Sequence, residues 1–154
     1  MYMKNLFWGL LALFFFCGSA PAAELEKGVL LPVTGPLTPH EKDVLAETVA
    51  ESFKNKYNII YGADVNSFVV KVFEEESKKH DCDETACYRK IAEHFHSSVV
   101  IALRITKKEE RDQLVTLSVF DVLEEKVVHS GRKDCHSCSY EELKALCEGL
   151  VEGI

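Results

Sequence analysis

Cysteines and histidines are the residues of this 154-residue chain best suited to chemistry, six of each. The cysteines cluster. Cys82 and Cys87 lie close together, Cys135-His136-Ser137-Cys138 is a C-x-x-C, and Cys147 follows nine residues later. A C-x-x-C can exchange disulfides, ligate a metal or form a structural bridge.

Context separates these uses. A thioredoxin-like enzyme carries its C-x-x-C after an early strand, with the first cysteine at the helix start and a cis-proline nearby. Here the motif is late, both cysteines precede the expected helix cap, and the last proline is Pro39. Covalent haem needs a histidine after the second cysteine, where this chain has Ser139. Zinc would accept Cys135, His136 and Cys138 with partners from His80, Cys82, Cys87, His94 or His96, but neither cluster alone completes a four-ligand set. His94 and His96 are two apart and do not share a helix face. No G-x-S-x-G elbow or glycine-rich phosphate loop occurs, and the acidic pairs Glu74-Glu75-Glu76 and Glu124-Glu125 read as solvated turns and helix ends. The leading expectation is therefore disulfides drawn from Cys82, Cys87, Cys135 and Cys138, with Cys147 a free, buried thiol. No catalytic residue, cofactor or metal is expected. A periplasmic thiol-redox or metal-binding protein using both clusters is the alternative, and the connectivity stays open.

The disulfide reading requires an oxidising compartment, and the N-terminus points to one. Lys4, the apolar run over residues 6–16 and Ala20-Pro21-Ala22 make a charged start, a hydrophobic stretch and a cleavage-like site. Residues 1–22 are expected to be a signal peptide and residues 23–154 a single α/β domain. A retained anchor is an alternative, although the run is shorter than the roughly 20 residues that span a bilayer. Lipidation at Cys17 is another, with Phe16 in place of the small residue that should precede the cysteine. Cleavage would leave five cysteines, an odd count. The chain carries 18 basic and 25 acidic residues, a net charge of −7, which argues against a nucleic-acid binder. No later segment is apolar enough to span a membrane.

These residues must be held by regular elements. Residues 29–33 read as a strand. Thr38 and Glu41 form a capping box around Pro39, opening a helix whose buried stripe is Leu45, Val49 and Phe53, with Val44 beside it. Residues 57–61 form a second strand. Asp64 is placed to cap a helix with Val65, Phe68, Val69, Val72 and Phe73 on one face, and Glu74-Glu75-Glu76 is its solvated tail. Asp83 caps a third helix carrying Cys87, Tyr88, Ile91, Ala92 and Phe95. Cys82 and Cys87 fall at its hydrophobic-staple positions. Residues 98–106 are a buried strand, residues 114–123 alternate with Val115, Leu117 and Val119 inward, and Val127-Val128-His129 starts another strand. Ser139 and Glu142 form a second capping box before Leu143, Leu146, Cys147, Leu150, Val151 and Ile154. The order is β-α-β-α-α-β-β-β-α, an α/β (α+β) fold with a mixed, roughly five-stranded sheet and helices packed on it.

That pattern resembles the amino-terminal domain of the periplasmic TolB proteins, and is similar to the module of the curli-secretion protein CsgG and of the outer-membrane activators of penicillin-binding proteins. The likeness runs from Gly28-Val29-Leu30-Leu31-Pro32 through Tyr57-Asn58-Ile59-Ile60 and Ser97-Ser98-Val99-Val100-Ile101 to the last helix. Neither the β-propeller of TolB nor the membrane-inserting segments of CsgG is found in these residues, and the cysteines are an addition. The resemblance implies a non-catalytic protein-binding module of the bacterial envelope, periplasmic or associated with the outer membrane. Its partner would be an envelope protein of unknown identity. Peripheral membrane association stays open.

Overall fold

A computed structural model describes residues 24–78, 83–108 and 112–154. The elements run β1 (Lys27–Leu30), α1 (Pro39–Phe53), β2 (Asn58–Ile60), α2 (Ala63–Ser77), α3 (Glu84–Phe95), β3 (Val99–Lys107), β4 (Asp112–Asp121), β5 (Lys126–His136) and α4 (Tyr140–Glu152). Residues 1–22, the expected signal peptide, lie outside the described residues, as do His80 and Cys82.

One mixed sheet has the strand order β2-β1-β3-β4-β5. β1 pairs in parallel with β2 and β3, because helical connections return the chain in the same direction. Two hairpins then add β4 and β5 antiparallel. This is the mixed α+β architecture that the alternation of periods implies.

The sheet has helices on both faces. Leu30, Ile101, Leu103, Val115, Leu117 and Val119 point to one face and pack against α1 and α4 through Leu45, Val49, Phe53, Leu143, Cys147 and Leu150. Val29, Leu31, Val100 and Phe120 point to the other and meet Val65, Val69 and Val72 of α2 and Cys87, Tyr88 and Ile91 of α3. Burying a large apolar side chain of this kind stabilises by about 1.5–3 kcal/mol before entropy is charged against it. β3 feeds both layers, so it reads as a nearly continuous apolar run.

Several local expectations need correction. The first strand ends at Leu30 rather than Val33. Pro32 has no N–H to give to the ladder, and pairing with β3 resumes only as the isolated bridge between Thr34 and Arg104. The second strand is only Asn58–Ile60. Helix α2 is capped by Gly62 at φ 101°, without a side-chain cap, and Asp64 falls inside its first turn, where a carboxylate suits the helix dipole. Glu76 is not solvated. It is 4% exposed and paired with Lys90 of α3, because α3 folds back over the end of α2. Val44 is only partly buried, and Ala50 takes the fourth core position on α1.

Candidate functional site

Strand β5 is the element least accounted for by packing. It is one edge of the sheet and has eleven residues, against three in β2 at the opposite edge. Only Cys135 is buried along it, with Val128 and Gly131 partly covered. β4 pairs with its inner side along its length. Among the described residues no strand pairs with its outer side, so its outward N–H and C=O groups form an open template.

Three devices hold this strand from within. Its register against β4 shifts between Val119 and Phe120, where Val128 is the extra residue of a bulge. At Gly131, opposite Leu117, α4 comes so close that a Cβ would sit 2.8 Å from Cδ2 of Leu150. At its end, Cys135 and Cys138 form a disulfide with Cα atoms 5.6 Å apart. Cys135 is 1% exposed in the core beneath α4. Ser137, between the two cysteines, takes a left-handed φ of 49°. The chain then enters α4 through Ser139, whose hydroxyl accepts from the Glu142 N–H at 3.3 Å while the Glu142 carboxylate accepts from the Ser139 N–H at 2.8 Å. The Tyr140 hydroxyl donates to the Glu41 carbonyl at 2.9 Å, tying this corner to α1.

Charges line the same strand. Asp134 pairs with Lys108, whose ammonium holds the Asp134 carboxyl below its ordinary value, and His136 Nδ1 lies 3.0 Å from Asp112. Lys126 pairs with Glu124. Arg132 and Lys133 are exposed and belong to no ion pair among the described residues.

The remaining chemical candidates disperse. Cys147 is fully buried on α4, and burial, with Glu148 nearby, pushes its thiol up to about 12. Cys87 is fully buried on α3, and its candidate partner Cys82 is outside the described residues. The α3 cap is as expected from the sequence, with Asp83 accepting from the Thr85 N–H at 2.9 Å. His94 stacks on Phe68 with ring centroids 3.8 Å apart, and His96 ends α3 in a left-handed conformation. Among the described residues no group of three or more His, Cys, Asp or Glu side chains converges as a metal site. An open groove of about 660 Å³ lies at the carboxyl ends of β1 and β2, lined by Leu31, Val33, His40, Tyr61 and Asn66. Among the described residues no helix is long and apolar enough to cross a membrane.

Sequence reasoning found the cysteines of this corner but missed Gly131, Arg132 and Lys133. The available signal was the stretch from Ser130 to Asp134, which has strand neighbours yet no apolar alternation, as suits an edge.

No family model and no curated sequence matches the chain. Solved structures do. Lipoprotein GNA1162 from Neisseria meningitidis superposes with a TM-score of 0.51 at 15% identity, over 83% of this chain and 95% of that one. A PelC dodecamer from Paraburkholderia phytofirmans gives 0.50 at 13% identity, over 86% and 89%. TolB from Acinetobacter baumannii gives 0.49 at 8% identity, over 84% of this chain and 28% of that one, so the TolB resemblance is loose. At these identities the likeness is one of fold.

Proposed function

We propose that this chain is a non-catalytic binding module of the bacterial cell envelope, exported by residues 1–22 and stabilised by local disulfides, and that the outer edge of β5 is its contact surface. One observation carries the reading. Among the described residues nothing pairs with the outer side of the longest strand of the sheet, while a bulge, a glycine contact and a disulfide fix it from the inner side. A strand pre-ordered in this way offers main-chain hydrogen bonds to a partner without the cost of ordering itself on binding. The partner is an envelope protein. The resemblance of residues 1–22 to a signal peptide supports the location, and one solved structure of the same fold is that of a lipoprotein.

The C-x-x-C fits a structural role better than a redox one. Exchange needs an accessible sulfur and a stabilised thiolate, whereas Cys135 is buried, and the half-buried Cys138 precedes the first turn of α4, which begins at Tyr140.

Site-specific photo-crosslinking tests the proposal. A photoreactive residue at Val127 or Lys133, both exposed on β5, should give one discrete adduct in cells, and the same residue at exposed Lys71 on α2 should not. Fractionation should recover the adduct from the envelope. Adducts at Lys71 alone, or none at either β5 position, would refute the edge as the contact surface.

A further inference from the structure

The proposed edge carries information about what it prefers. In a net acidic chain, β5 holds Lys126, Arg132 and Lys133 against the single carboxylate of Asp134. Lys126 and Asp134 are already neutralised by Glu124 and Lys108. The two cations left over are consecutive, and consecutive strand residues point to opposite faces. The register fixes which is which. Lys133 stands opposite Val115, on the face covered by α4, where its Nζ reaches the surface of α4 at Gly149. Arg132 stands opposite Thr116 and shares the other face with Arg104.

A sixth strand beside β5 would therefore meet, on each face, one cation that forms no ion pair among the described residues. Resting on the reading of β5 as the contact edge, we infer that the segment it accepts is an extended acidic peptide strand with two adjacent carboxylates in register with Arg132 and Lys133. Opposite charges placed directly across a strand pair stabilise it, and like charges destabilise it. The same rule disfavours a second copy of β5. An antiparallel self-pairing centred on Gly131 sets His129 against Lys133 and leaves both arginines facing only serines. A pairing centred one residue further, on Arg132, sets the two copies of Arg132 directly against each other. In the Arg132-centred register the edge repels its own copy, while an acidic strand is attracted in register with both cations, a use of charge that favours one partner over another.

The test uses the full mature chain and two short capped peptides of alternating valine and threonine, one with two central glutamates and one with two central lysines. Amide shifts and hydrogen exchange are read by NMR. The glutamate peptide should shift and protect amides within β5, and the lysine peptide should bind about tenfold more weakly, as expected from two cross-strand charge pairs. The R132E/K133E double variant, at solvent-facing positions that leave the core intact, should invert the preference. Added salt should erode it. Equal binding of both peptides, no perturbation of β5 by the glutamate peptide, or an unchanged preference in the variant would overturn the inference. If the crosslink from Val127, which leaves Arg132 and Lys133 in place, still captures an envelope protein while these peptides fail, the acidic strand is wrong and the contact edge stands. If both fail, both are wrong.

Discussion

Breaking the Cys135–Cys138 bridge should cost different amounts depending on which sulfur is removed. The chain-entropy term for so short a loop is about 2 kcal/mol. Cys138→Ser loses that term and little else, because Cys138 is only half-buried and its replacement hydroxyl can reach water. Its partner Cys135 then remains as a thiol that packs like a small hydrophobe. Cys135→Ser loses the same term and also puts a hydroxyl at a site 1% exposed, among apolar neighbours that include Leu143, Cys147 and Leu150. An unsatisfied buried hydroxyl costs about 1–3 kcal/mol more. The expected losses are therefore about 2 kcal/mol for Cys138→Ser and about 3–5 kcal/mol for Cys135→Ser.

Urea unfolding of the two variants, with and without reductant, checks this. With reductant present, the unmodified protein and Cys138→Ser should unfold at nearly the same urea concentration, because both then lack the Cys135–Cys138 bridge. Equal losses for the two substitutions would refute the placement of Cys135 in the core. Folded Cys138→Ser protein should also keep its crosslinked adduct. Loss of the adduct from Val127, at the end of β5 remote from the bridge, in a folded variant would favour the redox alternative, in which the dithiol itself does the work.

Three further outcomes follow from the packing and the charges. Gly131→Ala should destabilise by about 1–3 kcal/mol through overpacking against Leu150, and a double-mutant cycle with Leu150→Ala should show the two losses to be less than additive. Native-state alkylation near pH 8, read by peptide mass spectrometry, should leave Cys147 unmodified until the protein unfolds, because its thiol is buried and titrates near 12. Stability should fall as pH drops below the ordinary glutamate value of 4.5. The capping hydrogen bonds from Thr38 and from Ser139 lower the carboxyls of Glu41 and Glu142 in the folded state, so their stabilisation is present above 4.5 and lost as pH falls through the lowered values. Glu41→Gln with Glu142→Gln keeps both capping boxes and should flatten that part of the pH profile of chemical unfolding.

The element order was legible because each helix carries its own punctuation. Thr38 with Glu41, Asp83 with Thr85, and Ser139 with Glu142 are local hydrogen bonds between near neighbours, and local chemistry is visible in a sequence. The alternation of Val115, Leu117 and Val119 was equally direct, since one face of β4 is dry. The misreadings share a different cause. Glu76 looks like part of a solvated run until α3 folds over it and supplies Lys90, a residue 14 positions away. Asp64 is a good cap by type, but Gly62 turns the chain two residues earlier with a backbone angle that only the fold demands. β5 shows the limit most clearly. Only its start carried an apolar signal, because an edge strand covered on one face and open at its side needs few apolar residues.

That scarcity of buried residues sets a condition on any binding role for β5. Cys135 alone is buried, so apolar burial contributes little to keeping the strand in place. What holds it is the β4 ladder, the contact of Leu150 over Gly131 and the disulfide at its end. A strand offered as a template must be ordered before the partner arrives, since the free energy of ordering it otherwise subtracts from affinity. The disulfide should then matter locally more than globally. In Cys138→Ser, hydrogen exchange should quicken first in the Cys135 half of β5 and the first turn of α4, while β1 and β3, gripped by both helical layers, keep their protection. The affinity of an edge-binding partner should fall in step with that local opening. A uniform rise in exchange across the sheet would mean that the bridge stabilises the whole domain and does not pre-order the edge, and the structural argument for β5 as a prepared template would fail.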